Sequence, residues 1–197
     1  WTSAVGYDHN KDNLGATYQR INLRFQNTYR PIRQLSLTTG VLYTQNSSHS
    51  GRLGYTNVSM KSNYFVPYMQ MADANGNALA VAKNYNQSYM NGLGGGNLMD
   101  WNYYPLTDWQ HRTSESNTSD MLATATADYK IIKGLSAIVN YQYERQIGLG
   151  TNLADQDSYA ARVDHINRFS QLVNGNVVYI IPKGSILDKS NSVLSAN

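Results

Sequence analysis

The sequence predicts an all-β protein: antiparallel strands forming part of a transmembrane β-barrel, with long extracellular loops. Three observations predict it. Apolar and polar residues alternate with period two over several segments, which is strand spacing and not helix spacing. Short turns join some of these segments while very long stretches separate others, as in outer-membrane barrels with tight turns on one side and long loops on the other. No apolar run approaches the ~18 residues of a spanning helix, and the longest, such as Val177 to Ile181, are strand-sized.

The elements follow in order. Trp1 to Tyr7 reads as a strand, joined to Thr17 by the polar loop His9 to Gly15. Ile21, Leu23 and Phe25 alternate with Asn22 and Arg24. Leu35, Leu37, Val41 and Tyr43 oppose Ser36, Thr38, Gly40 and Thr44, with Leu42 the exception. Met121, Ala123, Ala125, Ala127 and Tyr129 oppose Thr124, Thr126 and Asp128, with Leu122 out of pattern. Leu135, Ala137, Val139, Tyr141 and Tyr143 oppose Ser136, Asn140, Gln142 and Glu144, broken by Ile138. The strands are expected at about 1–8, 17–29, 35–46, 120–131 and 135–147, and the extracellular loops at 47–119 and 148–197. The segment Tyr29 to Ser36 is repeated, imperfectly, by Tyr129 to Ser136, each a hairpin whose turn chemistry is expected from Pro31 or Gly134.

Composition narrows the function. Charged residues are 15% of 197, with 16 Tyr and a net charge of +3, so phosphate neutralisation has little to act through and nucleic acid is disfavoured. There is no cysteine, which removes disulfides and thiolate chemistry. The chain opens at Trp1 without a basic or apolar leader, so any targeting peptide is expected outside it.

No catalytic or metal constellation emerges. A calcium loop begun at Asp73 would need Gly and Glu where Ala78 and Asn84 stand. Asn75-Gly76 is expected instead to form a type I′ hairpin turn. Gly92 to Gly96 lacks the Lys-Ser/Thr of a phosphate loop and reads as a flexible connection. The four histidines are scattered, and Asp155 and Asp157 beside Asn152 read as solvated carboxylates before calcium ligands. The Asn46, Asn57, Asn86 and Asn117 sequons are expected by chance in so Asn- and Ser-rich a chain. No cofactor or metal is expected, and no enzyme. Tyr159, Arg162, Val163, Ile166 and Phe169 recur at helical spacing, predicting a short helix packed on neighbouring loops.

The loop motifs Tyr68-Met69-Gln70-Met71-Ala72-Asp73-Ala74-Asn75-Gly76, Leu98-Met99-Asp100-Trp101-Asn102-Tyr103-Tyr104-Pro105-Leu106 and Val178-Tyr179-Ile180-Ile181-Pro182-Lys183-Gly184 resemble the SusC/RagA family of TonB-dependent outer-membrane transporters. The hairpin Tyr129 to Glu144 is similar to that family's barrel. The resemblance implies that residues 1–197 are part of one 22-stranded barrel domain of Bacteroidetes type in the bacterial outer membrane. It further implies a SusD-like lipoprotein partner, energy from TonB through parts of the protein not in this chain, and import of oligosaccharides or peptides. The plug domain that the family carries is absent from these residues, so the chain is expected to be a barrel fragment.

The loop aromatics Tyr64, Phe65, Tyr68, Tyr85, Tyr89, Trp101, Tyr103, Tyr104 and Trp109 are the functional lead, because aromatic faces stack on sugars and accept apolar side chains. Trp101, Tyr103, Tyr104 and Trp109 are the candidates for cargo or lid contact; a mini-core of the loop is the competing reading. At the level of the whole chain, a soluble surface carbohydrate-binding or adhesive β domain is the alternative.

Overall fold

The computed structural model describes residues 1–55, 58, 66–92 and 96–197. Tyr64, Phe65, the Asn57 sequon and Leu93 to Gly95 of the glycine-rich run lie outside them. Among the described residues the strands are β1 (Thr2–Lys11), β2 (Thr17–Ile32), β3 (Leu35–His49), β4 (Arg112–Ile132), β5 (Leu135–Ala154), β6 (Ser170–Val173), β7 (Asn176–Tyr179) and β8 (Ile186–Ala196). Six of them form one antiparallel sheet in the order β1-β2-β3-β4-β5-β8, and β6 and β7 form a separate hairpin. The sheet is open, with β1 and β8 at its edges.

Register carries the alternation across the whole sheet. Tyr7, Ile21, Gln45, Ser119, Ile147 and Val193 stand in one row, and Val5, Leu23, Tyr43, Met121, Arg145 and Ser195 in the next. Ser3, Phe25, Val41, Ala123 and Tyr143 follow, and nearer the turns Tyr29, Leu37, Ala127 and Val139. Directly paired residues share a face, so the apolar positions of the separate strands merge into one continuous surface. The opposite face carries Asp8, Arg20, Asn46 and Thr118 in one row and Asn22, Thr44, Asp120 and Gln146 in another. Two of the sequence exceptions explain each other: Leu42 and Leu122 pair directly on that polar face.

Several boundaries differ from expectation. β1 runs through to Lys11, shrinking the first loop to a turn in which the Asp12 carboxylate accepts bonds from Leu14 N (2.9 Å) and Ala16 N (2.8 Å). β4 begins at Arg112 and β5 ends at Ala154, so the first long loop is 50–111, not 47–119. The added stretches are rich in Ser, Thr and Asn on both faces, and such residues carry no apolar period although their backbones hold the ladder. The stretch 148–197 is not one loop: it contains the end of β5, the β6–β7 hairpin and β8, which continues the sheet with Leu187 opposite Leu153 and Val193 opposite Ile147. The polar centre Asp188 to Ser192 hides β8 from a periodicity reading.

Turn chemistry also differs in part. Pro31 lies inside β2, and the two-residue turn is Arg33-Gln34, whereas Lys133-Gly134 turns the second hairpin with Gly134 at φ 90°. Both hairpins have a register shift just before the turn, between Tyr29 and Ile32 and between Lys130 and Ile132, and a bulge is a position that tolerates the missing N–H of Pro31. The repeat seen in sequence is thus a repeated bulged hairpin. Asp73 to Asn77 does turn the chain, but not as type I′: only Gly76 has positive φ. Gly76 N donates to Asp73 O (3.1 Å) and Asp73 N to Asn77 O (3.0 Å), a three-residue hairpin loop with glycine in the left-handed position. The type I′ turn occurs instead at Asn174-Gly175, φ 50° and 80°, between β6 and β7.

Both faces of the sheet are largely uncovered, and the packed core lies in the loops. Val58, Val81, Tyr103, Tyr159 and Val163 form it, with Met69, Met71 and Trp101 packed against them.

Candidate functional site

The loop 50–111 folds back on itself and onto the segment after β5. Val81 pairs with Tyr103 in an isolated antiparallel bridge, Val81 N donating to Tyr103 O at 2.8 Å. A six-residue helix, α1 (Gln87–Gly92), buries Met90. The helical spacing from Tyr159 is realised as a π-helix over Ala160–Asn167 that buries Val163 and Ile166, closed by Arg168 N donating to Val163 O at 3.2 Å. Phe169 lies beyond it and is exposed. Tyr159 N donates to the buried Asp108 Oδ1 at 2.6 Å.

Arg162 binds the two loops together. Its guanidinium is buried; Nε donates to Asp157 O (2.9 Å), Nη2 to Asn102 O (3.2 Å) and Nη1 to Asp100 O, with Asp100 Oδ2 3.3 Å from Nη1. Spacing marked Arg162 only as one position of a helical stripe; that it reaches across to the Asp100–Asn102 backbone had no sequence signal.

The four candidate aromatics do not form one patch. Tyr103 is a core residue, 4% exposed, its ring edge-on to Tyr159 at 5.2 Å. Burial pushes both phenols above their ordinary value, and it pushes the Lys83 ammonium, 4.4 Å over the Tyr103 ring and 4.8 Å over that of Tyr159, below its own. Trp101 is half-buried against that core and edge-on to Tyr85 at 6.0 Å; its buried Nε1 has no hydrogen-bond partner among the described residues. It borders cavities of about 330 Å³ and 160 Å³. Tyr104, half-buried, lines a cavity of about 220 Å³ with Asp100, Asp108, His111, Asp157 and Arg162.

Trp109 faces elsewhere. Its Nε1 donates to Leu106 O (2.9 Å), fixing the indole as a wall of a cavity of about 300 Å³. Leu53, Tyr103 and Pro105 supply further apolar wall, and Arg112, Asn152 and Asp188, from the loop-side ends of β4, β5 and β8, supply polar groups. Pattern reasoning missed Arg112 and Asp188 because neither belongs to an alternating run, and it singled out Asn152 only as a neighbour of Asp155 and Asp157. Of the other loop aromatics, Tyr85 and Tyr89 pack ring to ring at 5.6 Å, and Tyr68 is wholly exposed at φ 58°.

Asp155 and Asp157 meet His111 rather than Asn152. Their ligand atoms and the imidazole's lie within 4.8 Å of one another, the spacing of a cation site. Asp155 is engaged already: Oδ1 accepts from Asp157 N (2.9 Å) and Ser158 N (3.1 Å), and Oδ2 lies 2.9 Å from His111 Nδ1. The carboxylate thereby ties the start of β4 to the end of β5.

No protein-family model matches the chain. No curated protein matches it either.

Proposed function

We propose that this chain is part of a TonB-dependent outer-membrane importer for oligosaccharides or peptides, working with a SusD-like lipoprotein at its loop end. The observation that carries the reading is the segregation of faces. Over five adjacent strands one surface is apolar from about the Tyr7 row to the turns while the other is polar, and the apolar surface stays uncovered. On β4 the apolar side spans Met121 to Tyr129 and on β2 Ile21 to Tyr29, close to the ~9–11 residues that a tilted strand needs to cross hydrocarbon. Tyr29, Tyr43, Tyr129 and Tyr143 stand toward the ends of these runs, where aromatic girdles lie in outer-membrane barrels. Uncovered in water, so large an apolar face would drive association, which weighs against the soluble adhesive alternative.

The polar surface suits a hydrated passage and the self-packed loops suit a mouth that selects cargo. Trp101, Tyr104 and Trp109, each half-buried and bordering a cavity, are the aromatics best placed to touch cargo or lid, and the two indoles offer the larger faces. Uptake assays on the full-length protein test this. At least one of Trp101→Ala and Trp109→Ala is expected to reduce uptake while barrel assembly and lipoprotein copurification persist. Normal uptake in both variants, or loss of docking together with uptake in both, overturns the assignment.

A further inference from the structure

The apolar face holds one anomaly. Between the Tyr7–Ile21–Gln45–Ser119–Ile147–Val193 row and the hairpin turns, Arg145 is the one charged residue on that side of the sheet among the described residues. Its row neighbours are Met121 and Ser195, its neighbours along β5 on that face are Tyr143 and Ile147, and among the described residues its side chain has no hydrogen bond or ion pair. A charge near the midplane of a barrel's lipid face costs roughly 2–4 kcal/mol, less toward the interface. Such a residue needs either an escape or a partner.

The surroundings offer both. Arg145 stands one row inside the outermost apolar row, a rise of about 5–7 Å along a tilted strand, which its stem spans by snorkelling toward the loop side. There the apolar surface is notched. Ser119 lies diagonal to Arg145 on β4, Gln45 is directly opposite Ser119 on β3, and the Tyr43 hydroxyl donates to Gln45 Oε1 at 3.4 Å. The set offers a guanidinium, an amide and a serine hydroxyl and contains no carboxylate. Asp120 and Glu144 point to the other face, and Glu115, two rows further out, is paired with His49 Nδ1 at 3.3 Å. A donor-rich, acid-free notch at the edge of an apolar surface complements a phosphate attached to an acyl chain.

Resting on the membrane reading above, we propose that Arg145, with Ser119 and Gln45, binds the phosphate of an anionic lipid headgroup in the outer leaflet. The alkyl chains would then lie along Met121, Ile147 and Val193. Arginine serves here better than lysine because its planar fork meets two phosphate oxygens at once.

The test uses the full-length protein, purified in maltoside detergent, stripped of lipid and incubated with diphosphoryl lipid A. Native mass spectrometry reads the bound lipid, and heat-modifiable mobility checks that each variant is a folded barrel. Arg145→Gln is expected to weaken lipid A retention about tenfold, the ratio that ~1.4 kcal/mol represents, with Arg145→Lys intermediate and Ser119→Ala weaker in the same direction. Dephosphorylated lipid A should bind wild type no better than it binds Arg145→Gln. If Arg145→Gln fails to assemble, Ser119→Ala and Gln45→Ala carry the comparison. Equal retention by wild type and folded variants overturns the proposal, as does inorganic phosphate displacing lipid A at matching concentration, which would make the notch a free-anion site. A protein that stays monodisperse without detergent would instead overturn the membrane reading itself.

Discussion

Replacing Arg162 with methionine should release the Asp100–Asn102 segment from the π-helical segment while leaving the sheet intact. Arg162 is 7% exposed and directs bonds to three backbone carbonyls, those of Asp157, Asp100 and Asn102. A bond involving a charged group is worth ~1.5–3 kcal/mol, and a carbonyl that regains water on opening recovers part of it. The ion pair adds little: the Asp100 side chain is 47% exposed, and such pairs contribute at most ~1 kcal/mol. About 3–5 kcal/mol of local stability is therefore at stake, the range for disrupting a buried charged network. Hydrogen exchange by mass spectrometry reads it directly. Amides between 98 and 111 should lose roughly 10²- to 4 × 10³-fold protection, as that free energy requires, while amides of β2 to β5 keep theirs. Arg162→Lys should fall between, since an ammonium keeps the charge and cannot reach three carbonyls in different directions. Unchanged protection over 98–111 in Arg162→Met would refute the clamp.

Three further outcomes follow from the same structure. On the proposed barrel reading, Val139→Arg in the full-length protein should impair assembly, measured by heat-modifiable mobility, more than Asn140→Arg, because a midplane charge on a lipid-facing surface costs ~2–4 kcal/mol; equal tolerance at both positions would contradict the proposed assignment of faces. Hydrogen bonds from the Asn77 side chain and backbone hold the Asp73 carboxyl below its ordinary 3.8, so its support of the turn is complete above about that pH and is lost as pH falls through the lower folded value. Amide exchange at Asn75 and Asn77 should therefore quicken, beyond the intrinsic pH effect, only in acid, and Asp73→Ala should abolish the difference. Gly175→Val should open the β6–β7 hairpin by roughly 1 kcal/mol or more, since a β-branched residue resists positive φ, detectable as faster exchange at Val173 and Asn176 with β5 and β8 unaffected.

What was legible in the sequence was what has a short period. Ile21, Leu23 and Phe25, or Val139, Tyr141 and Tyr143, declare a strand and its face because side chains alternate with period two, and the register of the four strands β2 to β5 agrees with the parity read from each alone. The loop-side half of β4, Arg112 to Asp120, was silent because Ser, Thr and Asn line both its faces, and β8 was silent for the same reason around Ser190 and Ser192. Asn75-Gly76 misled because the dipeptide suits type I′, yet the Asp73 carboxylate, accepting from Asn75 N and Asn77 N at 2.8 Å each, stabilises the three-residue turn instead. Among the candidate aromatics, spacing in the chain could not separate Tyr103 from Trp109. Tyr103 is drawn inward by Tyr159 and Val81, partners distant in sequence, whereas Trp109 follows the 3-10 turn Asp108–His111 to the top of β4.

Site-directed spin labelling tests the central claim most directly: residues 1–197 contain no cysteine, so single labels are introduced into them one at a time, with any cysteine elsewhere in the full-length protein first replaced by serine. Labels at consecutive positions 137 to 143, in the full-length protein reconstituted into bilayers, are compared for collision with oxygen, which concentrates in hydrocarbon, and with a water-soluble nickel chelate. The account predicts a period-two pattern in which 137, 139, 141 and 143 meet oxygen and 138, 140 and 142 meet nickel. Uniform nickel accessibility at both parities, or the opposite phase, would contradict it.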